Sequence, residues 1–254
     1  MKKRLDVLLV ERGLAESRAQ AQALVLAGLV TGHAKPGEQV DETAELVVER
    51  PPRFVSPGGE KLAHALDELA ISVEGVDALD VGASTGGFTD VLLQRGAGRV
   101  IALDVGYGQL HPRLRQDPRV TVLERTNVRR IDALPFPPDF ITCDVAFISV
   151  RTALPSVLQL AEPGWRALVL VKPQFEAGRE DVGKGGVVRD PEVHRRVLRE
   201  VAEAALAWSA VPSGVVDSGL PGPKGNREFF LYLVHQERPR RPDELESWID
   251  RAIG

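Results

Sequence analysis

The chain has one cysteine, Cys143, among 254 residues, so no intrachain disulfide can form and a reducing compartment is expected. The five histidines and the lone cysteine show no metal-ligand spacing, and no metal is expected. The longest apolar run, Ala23–Val30, has eight residues, whereas a membrane span needs roughly 20. Lys2-Lys3-Arg4 starts like a secretory leader, but Glu11 and Arg12 cut the apolar stretch that follows. A cytoplasmic protein with no membrane partner is expected. A basic excess is also missing: 32 Lys and Arg face 36 Asp and Glu, a net charge of −4 that leans away from nucleic acid. No internal repeat is present.

The charge is unevenly placed. Residues 1–35 carry six basic and three acidic side chains, and residues 36–60 carry two basic and six acidic ones. Placement matters more than the net value for steering a polyanion. The front cations Lys2, Lys3, Arg4, Arg18 and Lys35, with Gln22 beside them, are candidate contacts to a polyanion. Solvated surface is the plain alternative.

Leu5, Leu8 and Leu9 have helical spacing, and Ser17 is a good N-cap for a second helix that stops at Gly28. Short strands are expected at Leu29–Val30 and Leu46–Val48. Proline and glycine then crowd residues 51–59, which predicts a linker after a small unit of residues 1–50.

From residue 60 to 238, apolar runs alternate with helix-length segments. The runs are Ala78–Val81, Val100–Leu103, Val120–Leu123, Phe140–Val145, Ala167–Val171, Gly214–Asp217 and Phe229–Val234. Seven strands with helical crossovers predict an α/β fold with an open, mostly parallel sheet. The last strand follows a Pro/Gly loop, so an antiparallel insertion is expected. Asp190-Pro191 starts a helix. Residues 239–254 predict a short amphipathic tail helix carrying Trp248, Ile249 and Ile253.

The first strand runs into Asp80-Val81-Gly82-Ala83-Ser84-Thr85-Gly86-Gly87-Phe88. Ligands in such sheets lie outside the carboxyl ends of the strands, and glycines allow close backbone approach and exposed amide donors. No Lys-Ser/Thr pair follows, so this is not a phosphate loop, and the G-x-G-x-x-G order is absent. An acid followed by this loop suits S-adenosylmethionine, whose cationic end favours acids and carbonyls. Asp104, at the second strand end, is placed for ribose hydroxyls. Asn127, after the third, is placed for an adenine edge or simply forms a turn.

Four further polar residues sit at element ends. Asp144 and Lys172 close the fourth and fifth strands, Glu228 opens the seventh, and Lys61 opens the domain's first helix. Adjacent strand ends should make Asp144 and Lys172 neighbours, either as a plain ion pair or as catalytic groups. A hydroxyl acceptor needs a base, and an amine serves when a nearby cation and desolvation lower its pKa. Lys172 is the candidate base, Lys61 the neighbouring cation, and Asp144 and Glu228 the groups that orient them. The Gly178–Gly186 loop carries Arg179 and Lys184, two further candidate contacts to a polyanion.

These motifs, with Gly13-Leu14-Ala15, Phe147-Ile148-Ser149, Val171-Lys172-Pro173-Gln174-Phe175-Glu176 and Gly225-Asn226, resemble the TlyA (haemolysin A) family of ribosomal RNA 2′-O-methyltransferases. The resemblance spans nearly the whole chain. It implies an S4-like α+β domain before a Rossmann-like, FtsJ-like class I methyltransferase domain that uses S-adenosylmethionine. It places a Lys-Asp-Lys-Glu tetrad on Lys61, Asp144, Lys172 and Glu228. It implies a cytidine ribose of large-subunit rRNA as acceptor, and of small-subunit rRNA too in a longer subgroup that the 248–253 segment is similar to. The family's haemolysin name suggests lysis, but nothing in the sequence supports a pore. Departures fall in the linker: Phe54-Val55 replaces a Trp-Val motif, and Pro57 stands where the family often has Arg. The Asn-Gly turn usual in the S4-like region is missing. A monomer is expected. A non-catalytic ribosome-assembly factor and a small-molecule methyltransferase remain the competing readings.

Overall fold

The computed structural model describes residues 2–15, 17–26, 28–49 and 53–254, except for the side chains of Ala23 and Pro223. The chain divides into two units, Met1–Arg53 and Phe54–Gly254.

In the first unit, β1 (Lys2–Arg4) leads directly into α1 (Leu5–Glu11), followed by α2 (Arg18–Leu26) and β2 (Gln39–Asp41). The Ser17 hydroxyl accepts the Gln20 amide at 3.2 Å, the capping bond that its position implies. Leu5, Leu8, Leu9, Ala21, Val25, Val30, Val40 and Leu46 form a small core of this unit's own. The expected strands at 29–30 and 46–48 reduce to a single bridge between Val30 and Val48. The ladder lies elsewhere, with Lys3 opposite Val40 in an antiparallel β1–β2 ribbon. Its polar residues hide the alternation that identifies strands: only Val40 is buried.

The second unit begins with α3 (Pro57–Glu68), then β3 (Asp77–Val81), α4 (Gly87–Gln94), β4 (Arg99–Leu103), α5 (Pro112–Arg115), β5 (Val120–Leu123) and β6 (Phe140–Cys143). It continues with α6 (Val150–Leu158), β7 (Arg166–Val171), α7 (Pro173–Glu176), α8 (Pro191–Leu206), β8 (Ala210–Asp217), β9 (Phe229–His235) and α9 (Leu245–Ile253). The sheet order is β5-β4-β3-β6-β7-β9-β8. β3 to β7 run parallel, and β9 inserts antiparallel between β7 and β8. One face is covered by α6, α8 and α9, with α9 over β8, and the other by α3 and α4. α9 buries Leu245, Ile249, Ala252 and Ile253 against the first face.

The predicted linker is shorter than its composition implied. Pro51 and Pro52 lie outside the described residues, while Pro57, Gly58 and Gly59 form the first turn of α3. Proline is preorganised at a helix start. Gly59 is required by packing: a Cβ there would lie 2.4 Å from the Phe54 side chain, which crosses the turn and is buried. Among the described residues, no helix is long and apolar enough to cross a membrane, and no group of three His, Cys, Asp or Glu is arranged for a metal ion.

Candidate active site

The site sits at the carboxyl ends of β3, β4, β6 and β7, where the parallel strands stop and the chain turns out of the sheet. Gly82 makes the first turn, at φ +83°, and a Cβ there would meet the Asp144 carbonyl oxygen at 2.3 Å. The ends of β3 and β6 therefore touch, and only glycine fits.

The loop after Gly82 was expected to offer free amides. Instead, Gly82 and Ala83 N–H donate to Leu103 O, Ser84 N–H to the Asp104 carboxylate, and Gly86 N–H to Ala83 O. Asp80 is likewise turned inward. It is fully buried and accepts the Thr89 amide at 2.9 Å, the Thr89 hydroxyl at 2.7 Å and the Thr142 hydroxyl at 3.1 Å. Burial pushes its pKa up to about 6 against these hydrogen bonds. Its work is to stitch β3 to α4 and β6. Gly86, Gly87 and Phe88 also pack internally. A Cβ on Gly87 would strike the Ser56 hydroxyl, and the Phe88 ring lies against Phe230 at 5.8 Å.

Outside these latches lies a cleft of about 490 Å³, with Gly82, Ser84, Asp104, Asn127 and Asp144 in its walls together with apolar surface from Leu103, Val105, Val128, Val145 and Ile148. Five of the eleven predicted cofactor residues thus line it; Asp80, Ala83, Thr85, Gly86, Gly87 and Phe88 do not. The Asp104 oxygens accept from Ser84 N–H at 2.8 Å and Gly106 N–H at 2.6 Å. A carboxylate has about four acceptor positions, so ligand hydroxyls can still be taken. Asn127 caps a 3-10 turn by accepting the Arg129 amide.

A second cleft of about 430 Å³ adjoins it, lined by Lys172, Gln174, Phe175, Val182, Gly186, Lys224, Asn226 and Glu228. Ala146 and Phe147 belong to both clefts. Val171 pairs with Phe229 in the antiparallel register, which brings Lys172 and Glu228 to the same end of that ladder. The tetrad residues form two ion pairs. Lys61 Nζ donates to Glu228 at 2.6 Å, with side-chain exposures of 10% and 0%. Lys172 Nζ pairs with Asp144. The second pair spans the clefts, its carboxylate in the wall of the first and its amine in the wall of the second. Each buried charge has its counter-ion, as burial demands.

Sequence reasoning missed several walls. Phe147 is 92% exposed, holds φ +65° and rests 5.3 Å from the Phe175 ring. An exposed aromatic in a strained conformation is a mark of a functional position. Its signal in the sequence was its place just past a strand end. Gln174 lies in the Val171–Glu176 motif, but nothing there sets it apart as a wall of the site, and Lys224 carries no pattern at all. Glu176, buried beneath, accepts the Ser149 hydroxyl and the Val150 amide at 2.6 and 2.7 Å, fixing α6 to α7. Asn226 holds Val188 N–H and Gly186 C=O, closing the rim of the second cleft. Arg179 and Lys184 are exposed on the same 178–186 segment that supplies Val182 and Gly186.

In the first unit, the front cations are not free as a group. Arg4, Arg18 and Gln22 all donate to the fully buried Asp6, whose carboxyl is held well below the usual carboxylate range, chiefly by Arg4. Lys3 pairs with Glu11 and Glu42. Among the described residues, Lys2 and Lys35 form no ion pair.

Comparison with known proteins agrees with this architecture. A family model described as FtsJ-like methyltransferase matches residues 54–235, and an S4 domain model matches residues 3–31. YqxC of Bacillus subtilis is 50% identical over 261 residues, covering 99% of this chain and 93% of that protein. The Mycobacterium tuberculosis protein named 16S/23S rRNA (cytidine-2′-O)-methyltransferase TlyA is 47% identical over 262 residues, covering 99% and 97%. A solved structure of a hemolysin-named protein from Streptococcus thermophilus is 41% identical, with a TM-score of 0.76, covering 99% of this chain and 95% of that one.

Proposed function

The chain belongs to the FtsJ-like methyltransferase family and carries an S4 domain, and from that premise we propose that it methylates the 2′-hydroxyl of a cytidine ribose in ribosomal RNA, with S-adenosylmethionine as donor. The observation that carries the proposal is the Lys172–Asp144 pair standing between two clefts. One cleft fits a nucleoside cofactor, and the other fits the nucleotide to be modified.

The first cleft suits the cofactor chemically. Asp104 is a carboxylate for the ribose hydroxyls, the apolar walls suit an adenine, and Asp144 places a negative charge near a sulfonium. When bound, S-adenosylmethionine supplies an electrophilic methyl group whose departure from sulfur requires no proton. The chain's own residues then have one task, to remove the acceptor proton as its oxygen attacks.

Lys172 Nζ is the base. In the ion pair Lys172 is an ammonium, so it must first release a proton to solvent; receiving the acceptor proton as the oxygen attacks then restores the ammonium beside the Asp144 carboxylate, a charge already provided for. Glu228 anchors Lys61, the neighbouring cation, and stands in the wall of the acceptor cleft with Lys172. Phe147 and Phe175 offer an aromatic lip for a base turned out of its stack. Lys2 and Lys35, the exposed parts of Lys3, Arg4 and Arg18 with Gln22, and Arg179 and Lys184 supply contacts to phosphates.

The test uses purified protein, S-adenosylmethionine labelled in the methyl group, and ribosomal subunits lacking the modification. Label should appear as 2′-O-methylcytidine after digestion to nucleosides. Lys172→Ala should bind S-adenosylhomocysteine normally and lose about 10²–10⁴-fold in transfer rate. Absence of label in any ribosomal cytidine, with cofactor bound, would refute the function. A folded and active Lys172→Ala protein would remove that lysine from the mechanism.

A further inference from the structure

Gln174, in the acceptor cleft, has its amide nitrogen turned toward Glu228 and an unmet acceptor. Its Nε2 donates to Glu228 Oε1 at 3.3 Å, while the other carboxylate oxygen takes Lys61. A carboxylate accepts only, so it forces the amide nitrogen toward itself and turns the carbonyl oxygen away. That Oε1 is closed off from solvent, and among the described residues no donor reaches it. A buried carbonyl without a partner is costly, and a native protein retains one where a ligand completes it.

The cleft defines what that ligand donor is. The residue lies among Phe147, Phe175 and Lys172, a wall suited to a planar base beside the reacting ribose. In the reaction proposed above, the 2′-hydroxyl gives its proton to Lys172, and in an RNA chain the 3′-oxygen is esterified. The donor left on a cytidine is its exocyclic amine, at the position where uracil carries an oxygen. The bond to Glu228 is long, at 3.3 Å, so it biases the amide without locking it, and a small rotation about the soft terminal torsion turns Oε1 to the cleft with the nitrogen still near Glu228. We propose that Gln174 Oε1 accepts a hydrogen bond from the exocyclic amine of the acceptor cytosine and so selects cytidine over uridine. This rests on the cytidine methylation reading and adds its specificity residue.

The experiment compares three rRNA fragments that differ only at the target nucleotide. These carry cytidine, uridine, or the pyrimidin-2-one riboside, which lacks the amine. The full chain and Gln174→Met, a near-isosteric variant without the amide, are assayed on each. For the wild type, removal of the amine should lower kcat/KM about tenfold, and uridine should lower it further. Gln174→Met should itself lose about tenfold on cytidine, after which removal of the amine should cost less than about twofold. Multiplying losses would overturn the assignment, since the residue and the amine would then act independently. So would a wild type indifferent to the amine, a result that needs no variant at all. S-adenosylhomocysteine binding reports whether Gln174→Met is folded. Failure of the wild type to methylate even the cytidine strand would instead sink the methyltransferase reading, and this assignment with it.

Discussion

Asp80 shows how one residue can be legible in type and misread in role. An acid at the end of the first strand looks like a cofactor ligand, but its oxygens are spent on Thr89 and Thr142. The native carboxyl keeps its proton up to about pH 6, whereas the ordinary value is 3.8. Between these values the native state binds more protons than the unfolded chain, so Asp80 costs stability as pH rises. Asp80→Asn removes the charge and keeps an oxygen for Thr89 and a nitrogen for the Thr142 hydroxyl. The unfolding free energy of the variant relative to wild type should therefore grow by about 2–3 kcal/mol from pH 4 to pH 7. Urea denaturation across that range checks it, and a flat difference would mean that Asp80 is ionised throughout. Charged residues at strand ends were readable because charge at the edge of an apolar run is expensive unless used; hence Asp104, Asp144, Lys172 and Glu228. Phe147 and Gln174 were not, since a neutral side chain gains its meaning only from the wall in which it stands.

Elements were readable where burial imposes a period. The inner strands β3, β4, β6, β7 and β9 follow apolar runs, because a strand covered on both faces must be apolar along its length, whereas edge strand β8 begins at Ala210, four residues before its run. The antiparallel β9 was also readable, from the Pro/Gly loop that replaced a crossover helix. The β1–β2 ribbon was not, since a ribbon that buries one residue leaves no pattern. Neither was the start of α3, where glycines that suggest a loop serve a tight contact with Phe54. Gly82 sets the junction of β3 and β6 in the same way. Gly82→Ala combines a left-handed φ with a Cβ 2.3 Å from the Asp144 carbonyl, so the two strand ends must part. We expect a loss of about 2–4 kcal/mol, a melting point lower by roughly 4–16 °C, and S-adenosylhomocysteine affinity down at least about tenfold. Gly75→Ala is the control: the same sign of φ, open space around it, and no site nearby. It should cost about 1 kcal/mol and leave affinity unchanged. Equal effects of the two substitutions on affinity would show that Gly82 matters only through strain.

At the scale of the whole molecule, the net charge of −4 says little about an RNA partner, because each unit spends its charges locally. Lys3, Arg4 and Arg18 are engaged with carboxylates, so the cationic front is weaker than its residue count, and among the described residues Lys2 and Lys35 are its cations that form no ion pair. The two units also keep separate cores: Leu5 to Leu46 in one, the two faces of the seven-stranded sheet in the other. The second core needs nothing from the first, and every ion pair of the tetrad lies within it. A fragment of residues 54–254 should therefore unfold cooperatively and bind S-adenosylhomocysteine as tightly as the full chain. On ribosomal subunits it should lose at least about tenfold in affinity and show a shallower salt dependence between about 50 and 200 mM, having given up its share of phosphate contacts. In the full chain, Lys2→Ala with Lys35→Ala should reduce the salt slope by about two, as two phosphate contacts would. Filter binding and labelled transfer measure both. If the fragment methylates subunits as well as the full chain does, with the same salt dependence, the first unit is not the RNA anchor and the acceptor is selected by the cleft alone.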